Sequence, residues 1–121
     1  MEKDLQISEM MKMQKALFEL NKDKWSPMEA EYGRQFILWM IEEVGECIAI
    51  IKKKGDDAIM NDEDVREAFV EEMSDVMMYF TDTLLRYDIS AEEISEAYVK
   101  KHCKNQGRDY SNEYDKLELA K

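Results

Sequence analysis

Apolar residues recur along this chain at helical rather than alternating spacing, and the pattern breaks at a few polar or capping clusters. Leu5, Met10, Met13, Leu17 and Leu20 predict a first helix over about residues 4–22, ended by the polar run Asn21-Lys22-Asp23-Lys24. In Ser26-Pro27-Met28-Glu29, Ser26 suits an N-cap, Pro27 the first helical position and Glu29 the return half of a capping box. A second helix is therefore expected from there to about Lys54, with Gly55 as its stop. Asn61 or Asp62 caps a third helix reaching about Tyr87. Ser90-Ala91-Glu92-Glu93 is a further capping box, opening a fourth helix through about Asn105. With only 1 Pro and 4 Gly, the chain lacks the turn signals of an all-β fold.

Shifting the sequence by 29 positions lays the second helix on the third. Phe36, Met40, Val44, Cys47, Ile48 and Ile51 fall on Val65, Phe69, Met73, Val76, Met77 and Phe80. Glu42-Glu43-Val44-Gly45-Glu46 falls on Glu71-Glu72-Met73-Ser74-Asp75. On a wheel of about 100° per residue, both apolar sets form a stripe roughly 120° wide. Glu43 and Glu72 lie about 20° outside the stripe, and Glu46 and Asp75 about 60° further round. Each helix thus carries two carboxylates at i, i+3 on the edge of its core-facing surface. Counted from Gly55 and from Asp62 at about 1.5 Å per residue, both pairs lie roughly 15 Å from the connecting loop. In an antiparallel hairpin the pairs come level, with Trp39, Ile50, Ala68 and Tyr79 as apolar neighbours.

A single Glu-x-x-Glu usually reads as solvated helix charge. Two in-phase pairs at matching depth, with few bases to neutralise them, read better as a cation site, since converging carboxylates must share protons or hold a cation. Oxygen-only ligands suit Mg²⁺, with Mn²⁺ as a substitute. A di-iron bundle would need Glu-x-x-His motifs, but Val99 stands three residues before His102, the sole histidine. Zinc lacks its usual His and Cys set here.

The 121 residues suffice for one core, and one domain is expected over residues 1–110 with a polar tail over 111–121. A formal net charge of −11 argues against nucleic-acid polymers and anionic membranes as partners. Cys47 and Cys103 are too few for a disulfide framework, and no apolar run approaches a membrane span of about 18 residues. The opening residues do not read as a secretion signal, so the expected location is cytoplasmic.

Glu43-x-x-Glu46, then 25 residues, then Glu72-x-x-Asp75, all on helices, resembles the signature of the all-α nucleoside triphosphate pyrophosphohydrolases, the MazG-like superfamily. Lys24-Trp25-Ser26 is similar to the tryptophan-containing segment that precedes the first acidic motif in MazG-type proteins. Residues 101–110, with Lys101, Lys104, Asn105 and Arg108, resemble the family's Lys-x-x-Lys-Asn-x-x-Arg ending. The resemblance covers roughly residues 14–110. It implies a Mg²⁺-dependent enzyme that cuts the α–β phosphate bond of a (deoxy)nucleoside triphosphate, giving monophosphate and pyrophosphate, in a nucleotide-pool housekeeping role. It also implies that Glu43, Glu46, Glu72 and Asp75 are metal ligands, and that helical bundles pair as homodimers or homotetramers. The expected fold is an all-α bundle built on a two-helix antiparallel hairpin with flanking helices, completed by dimerisation.

The residues agree with that chemistry. No P-loop and no Ser-His-Asp grouping is supported, whereas metal ligands can orient phosphates and activate water. Glu42 or Glu43 is the candidate base, and spacing does not separate base from ligand. Lys101, Lys104 and Arg108 recur at i, i+3 and i+7, which suits phosphate contact or a basic face complementing a helix C-terminus. Asn105 suits phosphate or sugar. Trp25 suits stacking on a base or plugging the core. Two alternatives stay open: a non-catalytic helical module binding nucleotides or protein, and a pyrophosphohydrolase of a phosphorylated metabolite.

Overall fold

A computed structural model describes residues 4–107, and these are all-helical, without strands. The elements are α1 (Ile7–Asn21), α2 (Gly33–Asn61), α3 (Glu63–Arg86) and α4 (Ala91–Gln106), with a 3₁₀ turn at Ala30–Tyr32. Contacts divide the chain at the Ser90–Ala91 junction into two compact units, each described by itself. No described helix is long and apolar enough to cross a membrane.

The first unit is held by α2 and α3, which share its most extensive packing, with α1 laid on α3. Contacts run from Phe36, near the start of α2, to Tyr79, near the end of α3 (ring centroids 6.2 Å apart), and from Cys47 to Met73 (Sγ–Sδ 3.6 Å). Asp62 is the sole link between the two helices. Its side chain accepts from the N–H groups of Asp64 (3.0 Å) and Val65 (3.3 Å), capping α3 as its position predicts. Gly55 breaks the helical geometry of α2 with φ 84°, a conformation that glycine tolerates, but the helix resumes and continues to Asn61.

Two expectations are corrected. Helix α2 starts at Gly33 rather than at Pro27. The carbonyls of Ser26 and Pro27 both accept from Nη1 of Arg86, and the Glu29 N–H donates to the Pro27 carbonyl (2.8 Å). A cation at the end of α3 therefore holds this segment outside the helix. The late start also lets the Tyr87 ring pack directly against Gly33, where an added Cβ would overlap the ring unless the tyrosine moved. In α1 the residues that set the helical spacing are not the buried ones. Met11, Gln14 and Phe18 are buried, whereas Met13 is 61% and Leu20 83% exposed.

The repeated apolar stripe divides between two surroundings. Phe36 and Cys47 are buried, and Met40, Val65, Phe69 and Val76 are half-buried. Val44, Ile48 and Ile51 on α2, and Met73, Met77 and Phe80 on α3, remain exposed at 38–49%.

The second unit is described over α4, where Lys100 pairs with Glu96 on the surface (3.2 Å) and no residue is fully buried. Residues 108–121, including Arg108 and the expected tail, lie outside the described residues.

Candidate metal centre

The decisive side chains come from the middles of the two long helices. Glu43 on α2 and Glu72 and Asp75 on α3 each offer a carboxylate oxygen, and these oxygens all lie within 4.8 Å of one another. All three residues are half-buried. Among the described residues this is the one group of three or more His, Cys, Asp or Glu side chains so arranged. Glu46, fourth of the expected ligands, is exposed and outside the trio, although its charge still acts on Glu43. Glu42 is exposed as well.

The electrostatics follow from that crowding. Partial burial, then a hydrogen bond with Glu72, then the negative charges of Asp75, Glu72 and Glu46 push the Glu43 carboxyl above its ordinary range. Hard oxygen donors that crowd in this way fit a divalent ion such as Mg²⁺ or Mn²⁺. Burial and the same acidic neighbours, Glu72 and Glu43, raise the Cys47 thiol, so Cys47 is a poor nucleophile. Tyr79 is raised by burial and by the charges of Glu43 and Asp75, and it keeps its phenolic proton to donate.

The acidic cluster borders a cavity of about 410 Å³. Glu43 and Asp75 belong to both cluster and cavity wall. The other walls are aromatic: Trp25 comes from the loop after α1, Phe36 and Trp39 from α2, and Tyr79 from α3. Phe36 and Trp39 meet edge to face at 4.9 Å, and Trp39 meets Tyr79 at 6.1 Å, which ties these three rings together. Lys24 adds a cation, and Gln14, Ser26 and Asp82 add polar groups.

Spacing alone did not single out Gln14, Asp82 or Arg86. Asp82 is fully buried and Arg86 is 2% exposed. Nε of Arg86 donates to Oδ1 of Asp82, and Nε2 of Gln14 donates to Oδ2 (3.0 Å). The Arg86 guanidinium also lies 3.6 Å from the centroid of the Phe36 ring. Asp82 and Arg86 stand at i, i+4 near the end of α3, the one sequence trace of this pair.

The remaining candidate residues lie on α4. Lys101 and Lys104 are exposed, and Asn105 is half-buried with its Oδ1 unpartnered. No family model, curated protein or solved structure matches the chain.

Proposed function

We propose that this protein is a Mg²⁺-dependent nucleoside triphosphate pyrophosphohydrolase that cleaves the α–β phosphate bond. One observation carries the reading: Glu43 and Asp75 are shared between a cluster of three carboxylates and the wall of an aromatic cavity. A substrate with a flat ring at one end and a polyphosphate at the other matches such a site in both parts. Aromatic side chains stack on the ring, and carboxylates recruit the cation that a polyphosphate needs in so acidic a chain.

In this reading Glu43, Glu72 and Asp75 hold the ion, with Glu46 at its margin. The bound ion would polarise the phosphate and lower the pKa of an attacking water. The exposed Glu42 and the half-buried Glu43 are the candidate acceptors for that water's proton. Trp25, Trp39 and Tyr79 position the ring, and Lys24 offers charge to the phosphates. Lys101, Lys104, Asn105 and Arg108 are proposed phosphate-binding residues on sequence grounds. In this reading the antiparallel hairpin of α2 and α3 is completed by a second copy that covers its exposed apolar rows.

The test is product analysis of ribo- and deoxynucleoside triphosphates with and without Mg²⁺. Monophosphate and pyrophosphate formed only with metal is the expected result. Orthophosphate with a diphosphate would reject α–β cleavage. Binding without turnover would favour a nucleotide-binding module.

A further inference from the structure

Arg86 is 2% exposed and does not itself line the aromatic cavity, yet it holds three residues that do. Its Nε donates to Asp82 on α3, and its Nη1 donates to the carbonyls of Ser26 (3.1 Å) and Pro27 in the loop after α1. Its guanidinium carbon lies over the Phe36 ring of α2, 3.6 Å from the centroid. Asp82, Ser26 and Phe36 are all wall residues. The loop is where this hold has most effect. The N–H groups of Lys24 and Trp25 both donate to the Asn21 carbonyl at the end of α1 (2.9 Å each), while the two carbonyls that follow Trp25 accept from the end of α3. Trp25 is thus tied on one side to α1 and on the other to α3, and Lys24, Trp25 and Ser26 all face the cavity. Stability alone is a weak reason for such a group. Nη2 of Arg86 is buried with no hydrogen-bond partner among the described residues, and apolar side chains fill such a space without desolvating a charge.

We infer that Arg86 is a positioning residue for ring binding: through the Ser26 and Pro27 carbonyls it sets Trp25 at the cavity wall before a ligand arrives. A planar guanidinium offers several N–H groups in one fixed fork, so one side chain serves a carboxylate and two loop carbonyls together. Lysine keeps the charge but is a point donor on a flexible stem. An aromatic side chain already fixed in place pays no ordering cost when a ring stacks on it. The effect of Arg86 on a nucleotide rests on the function proposed above, whereas its effect on Trp25 does not. Arg86 stands 11 residues beyond Asp75, about 16 Å along α3, so the carboxylate cluster lies outside its reach.

The test uses two variants of the full chain. Arg86→Lys keeps a cation beside Asp82, and Asp82→Leu with Arg86→Met replaces the pair by apolar groups; melting curves set a temperature at which both are folded. With Trp39→Phe as background, Trp25 is the one tryptophan left, and acrylamide quenching reports its exposure. The quenching constant is expected to rise at least twofold in both variants. With Trp39 restored, KM of Arg86→Lys for a nucleoside triphosphate is expected to rise at least tenfold, with kcat within about threefold of wild type and an unchanged Mg²⁺ requirement. A purely structural role would lower the melting temperature and leave Trp25 quenching in the folded protein unmoved. Unchanged quenching in both folded variants would overturn the inference, and so would increased quenching with an unchanged KM. A wild-type chain that cleaves no triphosphate would reject the pyrophosphohydrolase reading, and Trp25 quenching would then decide the inference alone.

Discussion

Glu43 is the residue on which the site turns, because it meets Glu72 and Asp75 across two helices and also borders the cavity. Its raised pKa, caused first by burial and then by Glu72 and the neighbouring charges, makes a signed prediction. A carboxyl raised in the folded state contributes fully below its unfolded value, and that contribution is lost as pH rises through the folded value. In EDTA, Glu43→Gln should therefore match the wild type near pH 4 and become the more stable protein as pH rises towards neutrality. Denaturant melts of both proteins across pH check it; equal stability at every pH would contradict the repulsion. On the proposed metal site, the order should reverse at neutral pH with Mg²⁺ present, because the wild type keeps a carboxylate ligand that the amide lacks. Glu43→Gln and Glu72→Gln should each lose at least a hundredfold in turnover, whereas Glu46→Gln, outside the trio, should lose much less. Retained turnover in both of the first two would remove the metal assignment. Glu43, Glu72 and Asp75 were legible from spacing alone. A helical wheel makes Glu46 and Asp75 equivalent, however, and only the approach of α2 to α3 tells them apart.

At the scale of elements, local signals were readable and remote ones were not. Asp62 caps α3 through bonds spanning two and three residues, so its role follows from neighbouring sequence. The start of α2 depends on Arg86, 60 residues from Ser26, and no cap rule contains that partner. Likewise the buried face of α1 includes a polar residue because Asp82 lies 68 positions away and supplies its bond. Breaking that network should be costly. Asp82→Ala leaves a guanidinium buried and without its carboxylate, and should destabilise by about 3–5 kcal/mol in urea melts. The junction of α2 with the end of α3 makes a second prediction. Gly33→Ala forces a Cβ into the Tyr87 ring and should cost about 1–3 kcal/mol. Tyr87→Leu, which removes the ring, should erase most of that difference in a double-mutant cycle. A fully additive cycle would place the cost elsewhere.

For the whole molecule, the repeat explains more than the carboxylates. One stripe per helix is too wide for the partner helix alone to cover, so its outer rows are left uncovered. On α2, Ile37, Ile41, Val44, Ile48 and Ile51 follow one another at spacings of four and three, each 39–59% exposed. On α3, Val70, Met73, Met77 and Phe80 form the matching row, 38–55% exposed. Such a seam is the pattern by which helices pack against helices, and a contiguous apolar face of this kind marks an interface. A second copy of the chain is the partner expected here, because the same face on two copies is self-complementary. The net charge of −11 opposes the association, and salt screens that repulsion while leaving apolar burial intact. The dimer should therefore tighten as ionic strength rises from about 0.01 to 0.15 M, as the Debye length shrinks from about 30 to 8 Å. Sedimentation velocity at both salts measures it. Ile48→Glu should give a monomer that still holds helical signal, whereas Leu20→Glu, at an exposed position on α1, should not alter the sedimenting mass. A monomer at every concentration and salt would separate the apolar rows from self-association and leave their partner to be sought in another chain.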